Sequence, residues 1–207
     1  RRVVDHGEVL TRESEGNAML DLVKQETERI ESRFLEPACG TGNFLTEILN
    51  RKLRIVESRY GKNQMEYERN AALAISSIYG VDILQDNIFQ CRKRLFEIFD
   101  QKYTILFKNK AMDKCREAAR YIIERNIIHG DALTLTSMED KTQPIVFSEW
   151  SPVYSKFKRR DFTLRNLVED DHRDLPLFSE KGEEVFIPRP KKDYPLTHFL
   201  EVADVDK

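Results

Sequence analysis

The sequence predicts an α/β fold built on a mainly parallel sheet. Three observations point there. Short apolar runs alternate with long stretches of helical spacing, three of those runs end in an acid, and a glycine-bearing turn joins the first run to its helix. Strands separated by helices pair in parallel, with helices over both faces of the sheet. The 207 residues amount to about one domain, and 40% hydrophobic residues are enough for a core.

Each element follows from its own stretch. Residues 1–15 are polar and read as a lead-in loop. Met19, Leu20, Leu22, Val23 and Ile30 mix with charges at helical spacing, which predicts a helix over residues 17–32. Arg33-Phe34-Leu35-Glu36-Pro37 is an apolar run stopped by proline, a strand end. Residues 38–42 form the turn. Asn43 is placed as the N-cap of a helix with Phe44, Leu45, Ile48, Leu49 and Leu53 on one face. A helix over residues 65–77 leads to the strand 77–83. Helices over 86–108 and 112–125 lead to a third strand, 126–131, and Pro144-Ile145-Val146-Phe147-Ser148 is the fourth candidate. From about residue 155 the prolines and charge runs predict an irregular appendage with one strand-like segment, Glu184-Val185-Phe186-Ile187. The predicted division is a core over residues 1–154 and an appendage over 155–207.

Composition excludes several classes. The 34 basic and 36 acidic residues leave a net charge of −2, so no uniformly basic nucleic-acid coat is present. No apolar run approaches the roughly 20 residues that span a bilayer, and no leader pattern opens the chain. The three cysteines, Cys39, Cys91 and Cys115, are odd in number and widely spaced, which argues against a disulfide framework or a zinc knuckle. The histidines have no partners at metal-ligand spacing. These features read as a cytoplasmic protein with no membrane partner and no metal.

The strongest signal is Glu36-Pro37-Ala38-Cys39-Gly40-Thr41-Gly42-Asn43-Phe44, which runs from strand through turn to helix. Gly40 and Gly42 let the backbone approach a ligand closely. Ligands of such sheets bind outside the carboxyl ends of the strands. Glu36 would meet the ligand with a carboxylate, which suits a cationic or hydroxyl-bearing group and not a pyrophosphate. Asp82 and Asp131 end the next two strands. A carboxylate only accepts hydrogen bonds, so each suits a hydroxyl pair or an amino group.

Residues 34–45 resemble motif I of the S-adenosylmethionine-dependent N6-adenine DNA methyltransferases, especially modification subunits of restriction–modification systems. Gly80-Val81-Asp82-Ile83 is similar to their motif II, and Gly130-Asp131-Ala132-Leu133 to motif III. The resemblance covers roughly residues 5–154. It implies a Rossmann-like three-layer sandwich, truncated here after about the fourth strand. It implies S-adenosylmethionine as cofactor, held by Thr11, Glu36, Pro37, Gly40, Gly42, Asn43, Phe44, Asp82, Ile83, Asp131 and Ala132. The catalytic motif IV is matched by Ser151-Pro152-Val153-Tyr154, 20 residues after Asp131 (151 − 131), with Val153 where the family has a second proline. The resemblance gives Ser151 and Pro152 the target amino group and Tyr154 the base. The basic run after it places Lys156, Lys158, Arg159 and Arg160 on DNA phosphates.

Only 56 residues follow Ser151 (207 − 151), too few for the family's remaining strands and a region that reads DNA sequence. The expected activity is therefore DNA adenine-N6 methylation as a modification subunit with a partner: a specificity or restriction subunit, or a second copy. The alternative is a catalytically silent cofactor-binding subunit. Methylation of RNA or of a protein glutamine amide is a further reading, and a nucleotide-dependent oxidoreductase a distant one. The segment 184–187 is expected to pair beside residues 144–148 or to cover their edge.

Overall fold

The structure, a computed structural model, describes residues 13–165 and 190–206. The chain runs α1 (Glu13–Leu22), α2 (Lys24–Thr27), β1 (Phe34–Glu36), α3 (Asn43–Tyr60), α4 (Gln64–Ser76), β2 (Ile78–Asp82), α5 (Gln85–Phe107), α6 (Asp113–Asn126), β3 (Ile127–Asp131) and β4 (Thr136–Ser137). It continues through β5 (Val146–Val153), β6 (Lys156–Thr163), β7 (Lys192–Asp193), β8 (Thr197–His198) and a 3-10 turn, Phe199–Asp204. The helix predicted over 17–32 is two pieces, α1 and α2.

The first sheet has the order β1-β2-β3-β4, and β1, β2 and β3 pair in parallel. The short β4 runs antiparallel to β3. The predicted mixed α/β class and mainly parallel sheet are present. Alternation along the strands decides what covers each face. Ile78 and Ile127 point toward the helices and meet Leu49, Ile75, Leu95 and Ile123, from α3, α4, α5 and α6 in turn. Gly80 lies on that same face, where an added Cβ would stand 2.8 Å from Leu45 and 3.0 Å from the Cys39 sulfur. Only glycine permits that approach.

The opposite face carries a correction. Tyr79 and Val81 pack against Ile145, Phe147 and Leu164, so among the described residues this face is covered by a second sheet where helices were expected. Residues 144–148 are not a fourth parallel strand. Val146–Val153 forms a hairpin with Lys156–Thr163, in register from Val146↔Thr163 to Val153↔Lys156. Two residues, Tyr154 and Ser155, make the turn. An apolar run cannot by itself say which partner it pairs with, and the nearest partner was eight residues away.

The boundary expected after residue 154 falls inside the turn of this hairpin. The described part of the tail is ordered on β6. β7 and β8 both pair with it, and Phe199 and Val202 are buried. Arg159, 4% exposed, joins Asp161 and Asp206 by ion pairs and stacks 4.0 Å from the Tyr194 ring centre. Val146 pairs with Thr163 of β6; residues 184–187, expected beside this segment, lie outside the described residues.

Candidate functional site

The site begins with the turn between β1 and α3. Gly40 has φ 52° and Gly42 φ 86°, the left-handed region that side-chain-bearing residues avoid. The Gly42 amide donates to the Cys39 carbonyl at 2.8 Å and tightens the loop. A Cβ on Gly42 would stand 2.6 Å from the Cys91 sulfur, so the turn is seated on α5. A Cβ on Gly40 would meet nothing within 4 Å, which leaves open space above the turn.

Gly42, not Asn43, is the N-cap of α3, and no side chain caps it. The Asn43 side chain instead accepts from Arg94, because the left-handed Gly42 already directs the chain into the helix. Phe44 is half-buried and packs against Gly16 of α1.

Asp82, at the end of β2, is 9% exposed. Its Oδ2 accepts the Gly40 amide at 2.8 Å. Its Oδ1 accepts the Leu84 amide at 2.9 Å and the Asn87 side-chain amide at 3.2 Å. One carboxylate thus ties the glycine turn to the start of α5. Ile83 is 41% exposed, and its carbonyl accepts from His129 Nε2 at 3.1 Å. A carbonyl can only accept, so Nε2 donates in this contact. Nδ1 is buried with no partner among the described residues. His129 is the in-register neighbour of Asp82 on β3.

Asp131 ends β3. Its Oδ1 accepts the amides of Leu133 at 2.8 Å and Thr134 at 3.3 Å, and these bonds, led by Leu133, hold its carboxyl below the usual range. Glu36 ends β1, where burial raises its carboxyl against the opposing bond from the Ala38 amide. Pro37, after β1, is exposed, and Ala132, after β3, is half-buried, both on the same rim of the sheet with β2 between them. Glu36, Gly40, Gly42, Asp82, Ile83, Asp131 and Ala132 therefore converge on the carboxyl ends of three adjacent strands. Thr11 lies outside the described residues.

The predicted catalytic turn is elsewhere. Ile145 touches Gly130, near the carboxyl end of β3, whereas Trp150 Nε1 donates to Asn126, immediately before β3 begins. β5 therefore runs down the sheet, and Ser151, Pro152 and Tyr154 lie beyond the amino ends of the strands. Arg69 of α4 donates to the Tyr154 carbonyl there, at 3.1 Å. The match to motif IV is thus a hairpin tip, away from the acids. Tyr154 has φ 54° and is 88% exposed, as a two-residue hairpin turn demands. Tyr154→Gly should raise stability by up to about 1 kcal/mol, because the left-handed strain disappears. Thermal unfolding measures this, and a ligand affinity altered by the change would put Tyr154 back in the site.

Three of the four residues of the basic run have internal partners. Arg159 is buried, Lys158 pairs with Asp193 and donates to the Tyr194 carbonyl, and Arg160 pairs with Glu149 at 3.5 Å. Alternation along β6 puts Lys156, Lys158 and Arg160 on one face and Arg159 on the other. Lys156 is exposed. Among the described residues no group of three His, Cys, Asp or Glu is placed to hold a metal ion, and no helix is long and apolar enough to cross a membrane.

Sequence reading missed Asn87, Arg94 and His129. Asn87 and Arg94 sit one and three turns into α5, and nothing in their spacing marks them before the helix is placed against the turn.

A family model described as MmeI, DNA-methyltransferase domain, matches residues 11–144. The match spans the turn, all three acids and the whole parallel sheet. No curated protein and no solved structure matches.

Proposed function

The chain belongs to the MmeI DNA-methyltransferase domain family, a restriction–modification methyltransferase-like group, and on that premise we propose that it binds S-adenosylmethionine at the rim formed by Glu36, Gly40, Asp82 and Asp131 and serves DNA adenine-N6 methylation. One observation carries this reading. A left-handed glycine turn and three strand-end acids lie on adjacent parallel strands, with the Gly40 amide bonded to Asp82. The fold is of Rossmann-like methyltransferase type on this reading.

The residues fit the group. The space above Gly40 admits a ligand, and the acids offer acceptors to ribose hydroxyls, to an adenine amino group and to an ammonium. His129 Nδ1, on the strand residue beside Asp82, is a further polar atom without a partner among the described residues. When bound, the cofactor supplies a methyl group on an activated sulfonium. The chain's own part is to hold and orient it: Asp82 fixes the turn, and Asp131, kept ionised by two amides, presents a charged acceptor.

The second reading is a cofactor-binding subunit without its own transfer activity. The position of Ser151-Pro152-Val153-Tyr154 favours it, because this hairpin tip lies away from the cofactor rim. A partner subunit or a second copy would supply the acceptors for a target amino group.

Calorimetric titration with S-adenosylmethionine tests the first step, with micromolar binding expected. A tritium-methyl transfer assay on mixed genomic DNA follows, with the chain alone and with its partner. Transfer by the chain alone removes the silent-subunit reading. Absence of binding by the folded protein removes the cofactor assignment.

A further inference from the structure

We propose that Arg94 is a positioning residue that sets the shape of the cofactor turn from outside it; the inference rests on the S-adenosylmethionine reading of that turn. One nitrogen of Arg94, Nη1, lies 2.7 Å from the Thr41 carbonyl, 3.3 Å from the Thr41 hydroxyl and 2.8 Å from the Asn43 side-chain oxygen. Thr41 stands between the two left-handed glycines. Glycine crosses readily between left- and right-handed backbone, so the peptides on either side of Thr41 have little intrinsic reason to keep one orientation. A charged donor on the Thr41 carbonyl supplies that reason. The carbonyl is held toward α5, and the amide of the same peptide, on Gly42, is left where it reaches Cys39 at 2.8 Å.

α5 therefore grips the turn at two points. Its first residues bind Asp82, which holds Gly40, and its third turn sends Arg94 to Thr41 and Asn43. Between those points the helix itself seats Gly42 on Cys91. A ligand meeting a turn held this way does not have to order it, and lower ordering cost appears as tighter binding.

Arg92 provides the comparison. It lies on the same helix and also donates to carbonyls, those of Ile127 and Glu124, but none belongs to the turn. Because a single nitrogen makes all three Arg94 bonds, a lysine ammonium with its three donors can take its place.

The experiment measures S-adenosylhomocysteine affinity by calorimetry and backbone amide exchange at residues 40–43, in wild type, Arg94→Met, Arg94→Gln, Arg94→Lys and Arg92→Met. Arg94→Met and Arg94→Gln should weaken binding about ten-fold or more and speed exchange at Gly42 in the ligand-free protein, the size expected when preorganisation is lost. Arg94→Lys should stay within about three-fold of wild type, since the donor point is retained. Arg92→Met should lower thermal stability without changing affinity. Wild-type affinity and exchange in Arg94→Met, or equal affinity losses in Arg94→Lys and Arg92→Met, would overturn the proposal. If wild type does not bind S-adenosylhomocysteine, the cofactor reading fails; the exchange rates of the ligand-free variants then decide the clamp by themselves.

Discussion

Lys52→Met should cost several kcal/mol of folding stability, at roughly 1–3 kcal/mol for each buried group left without its hydrogen-bond partner. Lys52 is completely buried on α3. Its ammonium donates to the carbonyls of Arg29, Ile30 and Ser32 and to the Ser77 hydroxyl. It thereby ties the loop before β1 to the start of β2. Methionine fills similar volume but leaves three carbonyls without a donor, and each unsatisfied buried group costs roughly 1–3 kcal/mol. Since a domain's total stability is about 5–15 kcal/mol, the variant should be visibly destabilised in a urea titration. A loss below about 1 kcal/mol would mean that water replaces the ammonium.

The same residue should leave a pH signature. Burial pushes the Lys52 ammonium down to about 7. Between that value and the ordinary lysine value of about 10.4, the unfolded chain holds a proton that the folded chain has released. The Lys52 contribution to stability therefore rises with pH across this window and is flat below it. Lys52→Met should lose that rise. An unchanged pH profile between pH 7 and 10 in the variant would contradict the assignment.

Asp82→Ala should weaken S-adenosylmethionine binding by about 1.5–3 kcal/mol, roughly ten- to a hundred-fold, the range for hydrogen bonds to a charged group. The loss has two sources. The carboxylate disappears from the rim, and the Gly40 amide, the Leu84 amide and the Asn87 side chain lose their shared acceptor. Asp82→Asn separates them, because it keeps one acceptor oxygen while removing the charge. It should lie between wild type and Asp82→Ala. Calorimetry on folded protein is the measurement, and unchanged affinity in Asp82→Ala would remove Asp82 from the site.

Local pattern carried the helices and the parallel strands. Leu45, Ile48, Leu49, Leu53 and Val56 recur at helical spacing and are all buried on α3. The glycine turn and the acids at the ends of β1, β2 and β3 were legible because a strand end and a φ above zero each demand particular residue types within a few positions. The hairpin was not legible. Pro144 to Ser148 looks alike whether it pairs with a parallel strand or with its own continuation, and the turn Tyr154-Ser155 carries no glycine or asparagine to announce it. Soon after that strand, Ser151-Pro152-Val153-Tyr154 matched a catalytic pattern, and the hairpin carries it to the end of the sheet away from the acids.

The sequence by itself determined the α/β class, the order of its first three strands along the chain, and the glycine turn and strand-end acids that share one rim of the sheet. Those depend on interactions within a turn, a helix face or a strand end. The tertiary structure decided how the second sheet packs on the first, the partner of Arg159 on β6, and the grip of Arg94 and Lys52. These bring together residues far apart in the chain: Tyr79 with Phe147, Arg94 with Thr41, Lys52 with Ile30, and Arg159 with Asp206. Such pairings exist only once the core has brought their elements together, and the free energy that places them is the burial of apolar surface between layers. That term is non-directional and leaves no residue-by-residue spacing to be read in advance.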